Sequence, residues 1–227
     1  MRWGLCVGIA MLGLAACSQP EPPAPPPPPP PPPPAPAPTL EPPDPYYFAM
    51  ELPPKTAAGG YETPNSDIGP LEQLFHFRSA LNVAALSCRH LPGYDLAPQY
   101  NEFIKTFAEP LRNANSAIEA KFRREHGGDG PRVRDTHMTS LYNHFARPGT
   151  LGTFCPMARR NLTEALALSA DGLDAYALAS LAQMEAIFQE HFAEVEAYQE
   201  NYRQRMQEFG LTEPPETTVT GRVGTSS

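Results

Sequence analysis

The sequence predicts an all-α domain of four or five helices that follows a long proline-rich segment. Three observations support this prediction. After residue 69, apolar residues recur at steps of three and four, the period of a helix with one buried face. No alternating run of β-branched residues, which would indicate a strand, occurs in the same region. Most of the 30 prolines lie before residue 71, which leaves about 140 residues for a single core.

The amino terminus has the features of a secretory signal. Arg2 is followed by an apolar run from Trp3 to Leu14, which is too short to span a bilayer stably. The next residues complete the motif Leu14-Ala15-Ala16-Cys17, which resembles the lipobox of bacterial lipoprotein precursors. The resemblance implies cleavage after residue 16 and acylation of Cys17, for example with palmitate. Several acyl chains would make this membrane anchor effectively permanent. The alternative is an ordinary secretory signal.

Ser18 bears on the location of the anchored protein. In the lipoproteins that this motif resembles, an aspartate after the cysteine commonly retains the protein in the inner membrane. Serine at this position therefore favours the outer membrane, with the domain in the periplasm.

Residues 17–68 are predicted to be a lipid anchor and a disordered linker. Proline and alanine dominate from Pro20 to Pro45, and such a segment adopts an extended polyproline helix of ~3.1 Å per residue, roughly 80 Å in all. It would hold the domain away from the membrane. Low-complexity drift and a ligand for a proline-binding groove are the alternatives. The turn-rich stretch after Phe48 is predicted to be a loop that lies on the domain.

The first helix is predicted from Asp67 to His90. Phe77, Leu81, Ala84 and Cys88 share one face, Asp67 or Ser66 could cap the start, and Leu91 to Gly93 stop the helix. The second helix runs from Pro98 to His126, and Pro110 should kink or split it near Glu109.

Three more helices are expected after a loop at residues 127–131. The third begins near Asp135 and ends before Pro148. Cys155 and Pro156 open the fourth, because proline suits the first helical turn. The last helix runs from Leu173 to Gly210, about 55 Å, which exceeds what a compact bundle of this size needs. The helical domain thus covers residues 69–210, and residues 211–227 are predicted to be a disordered tail.

Cys88 and Cys155 are the two cysteines other than Cys17 that remain after the predicted cleavage. Thiols oxidise in the periplasm, so we predict a structural disulfide between them, worth about 4 kcal/mol in the chain-entropy relation. The alternative of a catalytic thiol at Cys88, close to His90, lacks any surrounding nucleophile motif.

The remaining polar residues indicate no reaction. His137 and His144 share a helical face, but two helical turns separate them, too far for joint ligation of one metal ion. The glutamates of the last helix are interpreted as a solvated face. We therefore expect no metal, no cofactor and no enzymatic activity. The net charge of −8 also disfavours nucleic acid as a partner.

The helical region also resembles a set of uncharacterised helical lipoproteins of alphaproteobacteria. The residues that carry the resemblance are ALNVAALSCR, YNEFIKTF, LYNHFA and FC. It implies no activity. The pairs Tyr100-Asn101 and Tyr142-Asn143 could line a polar groove, or could simply pack half-buried between helices.

Two hypotheses of function follow. In the first, the domain presents a helical surface to an envelope protein or to peptidoglycan, and residues at the end of the last helix contact a partner or a second copy: Tyr198, Tyr202, Met206 and Phe209. The alternative for these residues is that residues 46–66 fold back and cover them. In the second hypothesis, the domain carries a small ligand in a pocket between helices.

Overall fold

The computed structural model describes residues 39–215. The predicted signal peptide, Cys17, the proline run up to Pro38 and the end of the predicted tail lie outside the described residues.

The all-α prediction is confirmed. Residues 39–215 contain six helices of ten residues or more and one short helix, and no strand beyond an isolated bridge between Lys55 and Tyr61. The helices are α1 (Pro45–Ala49), α2 (Pro70–Ser87), α3 (Ala97–Thr106), α4 (Ala108–His126), α5 (Gly130–Phe145), α6 (Leu151–Ala165) and α7 (Leu173–Glu208). Short 3₁₀ turns follow α2, α4, α5 and α6. Within this part of the chain, no helix has the length and apolar character needed to cross a membrane.

Helix α2 lies at the centre of the bundle and contacts each of the other long helices. Its buried positions pack into one core with the apolar faces of α3 to α7. Large aromatic side chains fill that core: Phe77, Phe103, Phe107, Phe145, Phe154, Phe188 and Phe192 are fully buried.

The second predicted helix is split, but at Phe107 rather than at Glu109. The ring of a proline in a helix collides with the carbonyl four residues earlier, which for Pro110 is that of Thr106. Helix α3 accordingly ends at Thr106, and α4 starts at Ala108. Pro110 then occupies the first turn of α4, where its missing N–H is not needed. This break raises the count of longer helices above the four or five that were predicted.

Three predicted starts are wrong. Helix α2 begins at Pro70, after Gly69, whose N–H donates to Glu72 Oε2, so neither Ser66 nor Asp67 caps it. Helix α5 begins at Gly130, within the predicted loop, because this glycine allows close approach to α4; a Cβ there would lie 2.7 Å from the carbonyl oxygen of Phe122. Helix α6 begins at Leu151, and Pro156 lies inside it, where the buried Phe154 and Cys155 hold the helix in place by packing.

The chain before α2 also packs on the bundle. Residues 39–50, here called the strap, lie against the end of α7, where Leu40 and Phe48 pack on Tyr202 and Met206. The packed unit therefore extends back to Thr39, and residues 39–68 are part of the domain and not of the linker.

Candidate functional site

A cleft of about 760 Å³ is lined by α5, by residues 53–64 of the segment between the strap and α2, and by Phe192 of α7. One wall is the outer face of α5, which presents Thr136, His137, Thr139, Ser140 and Asn143. The opposite wall comes from the turn-rich segment before α2, including Pro53, Pro54 and Thr63. The volume lies within the range of small-ligand sites.

Arg147 lies at one end of the cleft, just after α5. Its guanidinium stacks on the ring of Phe192, with 4.8 Å between Cζ and the ring centroid. Nη1 donates to the sulfur of Met50 at 3.6 Å, and Nε is buried without a hydrogen-bond partner in the described part of the chain. Arg147 is half-buried, and this burial lowers its pKa.

A chain of buried and half-buried polar side chains adjoins the cleft, which two of its members, His137 and His144, line. His137 and His76 approach each other at 3.1 Å between their Nε2 atoms. His76 Nδ1 lies 2.9 Å from Asn65 Oδ1, and Asn65 donates to Glu185 Oε2 at 2.6 Å. His144 Nε2 reaches the same oxygen of Glu185 at 3.0 Å. These five side chains, together with Gln189, are called the polar network below. They join α2, α5 and α7 to the segment before α2.

The hydrogen bonds fix the protonation pattern of this network. Because the amide nitrogen of Asn65 donates to a carboxylate, its oxygen accepts from His76 Nδ1–H. With His76 in the neutral form, its Nε2 accepts from His137 Nε2–H, and each of these groups has a hydrogen-bond partner.

The environment enforces that state. Burial, reinforced by the neighbouring His137, lowers the pKa of His76 to about 3. Burial likewise lowers the pKa of His137. Burial alone would raise the pKa of Glu185, but hydrogen bonds from His144, Asn65 and Gln189 outweigh it, and the net pKa is lowered. The network thus combines two imidazoles whose charged form is disfavoured, those of His76 and His137, with a carboxylate whose charged form is favoured.

A second cavity of about 660 Å³ lies on the other side of this network, between α7 and the start of α2. Asn65, Glu185 and Gln189 line it, and its other walls are mostly apolar, from Ile68 and Leu181 among others. The polar network therefore separates two cavities.

The structure confirms the predicted disulfide. Cys88, at the end of α2, is bonded to Cys155 in α6, with their Cα atoms 5.7 Å apart and a sequence separation of 67. Both residues are fully buried in the core, far from any open surface. The bond ties the central helix to α6 and takes no part in the cleft.

The residues predicted to bind a partner lie under the strap. Tyr202 and Met206 are buried against Leu40 and Phe48, and the hydroxyl of Tyr202 donates to the carbonyl of Glu41 at 2.7 Å. Tyr198 is half-buried and accepts from the N–H of Asp44, whereas Phe209 remains 38% exposed. The premise that this strip lacks a cover within one chain is wrong. Binding of a partner by these residues stays a prediction.

The sequence analysis singled out few of the cleft residues. His137 and His144 were recognised as neighbours on one face, and both line the cleft. Asn143 lines it too, whereas Tyr100 is buried at a distance and accepts a hydrogen bond from Asn82, so the two Tyr-Asn pairs do not form one groove. The sequence analysis did not predict that Arg147, which directly precedes Pro148 at the predicted end of the third helix, belongs to a site. Among residues 39–215, no group of three or more His, Cys, Asp or Glu side chains could hold a metal ion.

Fold and cleft together define a helical domain with a ligand-sized polar cleft on one face. Comparisons with protein-family models, with curated proteins and with solved structures found no match to this chain. The resemblances to lipoproteins stay predictions.

Proposed function

We propose that this chain is a non-enzymatic lipoprotein of the cell envelope whose helical domain binds a small polar ligand in the cleft. In this proposal Cys17 carries the lipid, the proline-rich segment acts as the stalk, and the domain faces the periplasm from the outer membrane. The anchor rests on the lipobox resemblance and the binding function rests on the geometry of the cleft.

The observation that carries the binding function is the polar cleft beside the polar network. Side chains at five positions of α5, from Thr136 to Asn143, line the open volume. Next to them the polar network is held by hydrogen bonds that come from three helices. A preformed cavity with a few polar groups on fixed elements is typical of a small-ligand site.

A second candidate is docking of a partner protein on α7, closer to the first hypothesis of the sequence analysis. The observation that favours it is Leu178, which is 49% exposed at the rim of the second cavity. Leu178→Asp should then weaken capture of a cross-linked envelope partner without changing ligand retention in the cleft. Unchanged capture by that variant would remove this candidate.

The anchor is tested by Cys17→Ser. Because the sulfur of Cys17 is the proposed attachment point, the variant should lose palmitate labelling and leave the membrane fraction or remain unprocessed. Cys6→Ser, inside the signal segment, serves as the control and should be labelled normally. A parent protein that matures without any lipid would contradict the proposal.

The cleft is tested by filling it. Ser140→Trp places a large ring in the cleft, and Ser116→Trp places the same ring on an exposed face of α4. The full-length protein in detergent is dialysed against a periplasmic extract, and retained small molecules are identified by mass spectrometry. We expect compounds that the parent and Ser116→Trp retain and that Ser140→Trp does not. Identical retention by all three proteins would refute a binding function of the cleft.

A further inference from the structure

Arg147 differs from two other partly buried basic residues of the bundle, Lys121 and Arg134, and shares with Arg78 the lack of an acidic partner in the described part of the chain. Lys121 pairs with Glu72 at 2.6 Å, and Arg134 contacts Glu119 and Asn115. Within residues 39–215, Arg147 has no such acidic partner, and its polar contact is the thioether of Met50. A guanidinium has five N–H donors, and a thioether is a weak acceptor, so most of the hydrogen-bonding capacity of Arg147 is unused.

This arrangement is costly without a ligand. Transfer of a charged group out of water is unfavourable unless an opposite charge or hydrogen bonds compensate, and the lowered pKa of Arg147 reflects that cost. Stacking on Phe192 compensates in part, because the ring face attracts a cation. Nη2 and the second N–H of Nη1 have no partner within residues 39–215, and Arg147 lines the cleft.

We propose that Arg147 receives an oxyanion of the ligand, a carboxylate or a phosphate. This inference rests on the proposed binding function of the cleft. A guanidinium fork matches the two oxygens of such a group in a bidentate pair, which is stronger and more directional than a neutral hydrogen bond. Asn143 and Ser140, on the same wall of the cleft, offer neutral donors to the rest of the ligand.

Glu62 limits the class of ligand further. This exposed residue also lines the cleft, from the opposite wall. A ligand with a second anionic group would be repelled there, since like charges repel each other. The site therefore fits a ligand with one anionic end and a neutral or positively charged remainder.

The test compares anionic probes with neutral ones of the same shape. Helix unfolding of the full-length protein in detergent is followed by circular dichroism with N-acetylglycine, N-acetylglycinamide or methyl phosphate, at ionic strength matched with sodium chloride. We expect N-acetylglycine or methyl phosphate to raise Tm by about 3 °C at a tenfold excess over Kd, and the amide to have no effect. Which of the two anions acts distinguishes a carboxylate ligand from a phosphate ligand.

The matched variants are Arg147→Met and Arg89→Met. Methionine keeps an aliphatic stem against Phe192 and removes the charge, whereas Arg89 is exposed outside the cleft. Arg147→Met should abolish the rise in Tm, and Arg89→Met should keep it. If Arg147→Met does not fold, Arg147→Lys replaces it and should at least halve the rise, because an ammonium group lacks the fork.

Two outcomes would overturn this inference. One is the absence of any Tm rise in the parent protein with either anion. The other is an equal rise in the parent and in the Arg147 variant. If the compounds retained from the extract depend on Ser140→Trp but not on Arg147→Met, the cleft binds a ligand and Arg147 is not its receptor.

Discussion

The two halves of α7 bury the same kind of apolar stripe under different covers. In the first half, Leu173, Met184 and Phe188 are fully buried in the main core, among the other helices. In the second half, Tyr202 and Met206 belong to a separate small cluster, covered only by Leu40 and Phe48 of the strap.

The difference lies in how the cover satisfies its own backbone. A helix bonds its backbone internally and can cover an apolar surface without help. The strap has only the short helix α1, so most of its N–H and C=O groups must find partners elsewhere. Helix α7 supplies them: the side-chain amide of Gln199 donates to the carbonyls of Tyr47 and Met50 at 2.9 and 2.8 Å, and Tyr202 and Tyr198 bond Glu41 and Asp44. The second half of α7 is therefore held by a mixture of apolar and polar contacts.

The largest expected effect is loss of packing in the first half. Phe188→Ala removes a ring buried between Phe145 and Phe154 and should lower the free energy of unfolding by about 3–5 kcal/mol. Phe48→Ala, the matched change in the strap, should cost about 1 kcal/mol, because that ring is only half-buried and the strap can detach locally. Urea denaturation measures both. Equal losses would mean that the strap contributes as much to the free energy of unfolding as the core does.

The disulfide should contribute almost as much to the stability of the first half. Replacing both Cys88 and Cys155 by alanine should lower the free energy of unfolding by about 4 kcal/mol, since the bond closes a loop of 67 residues. The melting temperature of the variant and of the reduced parent should fall together. Hydrogen exchange in the strap should change far less, because the strap does not contact this bond. Two reactive thiols in the purified mature parent would contradict the bond itself.

Low pH should lower the free energy of unfolding through the polar network, which includes Glu185 in the first half of α7. The pKa of His76 is about 3 when folded and about 6.5 when unfolded, so below pH 6.5 the unfolded chain takes up a proton that the folded chain does not. Stability is then present above pH 6.5 and falls by about 1.4 kcal/mol per pH unit as the pH decreases towards 3, or about 2 kcal/mol between pH 6.5 and 5. Urea midpoints across this range measure the slope. His76→Gln should flatten it and His90→Gln, at an exposed position, should not; the same slope in both variants would exclude His76 as its source.

The smallest loss of stability is expected from the hydrogen bonds between the strap and the second half of α7. Gln199→Ala leaves the carbonyls of Tyr47 and Met50 without their donor and should cost about 1 kcal/mol. Gln204→Ala is the control, because its amide bonds only Glu200 on the exposed side of the helix. Hydrogen exchange should rise within residues 39–50 for the first variant alone. No rise there would show that the apolar contacts hold the strap without the amide.

Part of the candidate site could be predicted from the sequence. The helical face that carries His137 and His144 follows from the period of α5, and both residues line the cleft as neighbours on that face. Their actual partners could not be predicted, since His76 is 61 positions from His137 and Glu185 is 41 positions from His144. Arg147 follows a predicted helix end and precedes a proline, so the sequence showed it as part of a stop signal and gave no sign of a cleft.

The sequence by itself determined the helical class, the carboxyl-terminal ends of most helices, the pairing of Cys88 with Cys155 and the length of α7. These features depend on local periods, on breaking residues and on the small number of cysteines, all of which are read along the chain. Only the tertiary structure decided the cover of the last helix, the polar network and the unpaired state of Arg147. Each of these depends on side chains that meet from distant positions, such as Tyr46 with His191, 145 residues apart. The strap contains only five helical residues, Pro45–Ala49, too few to give a periodic pattern in the sequence, and the rest of its structure depends on the surface on which it packs.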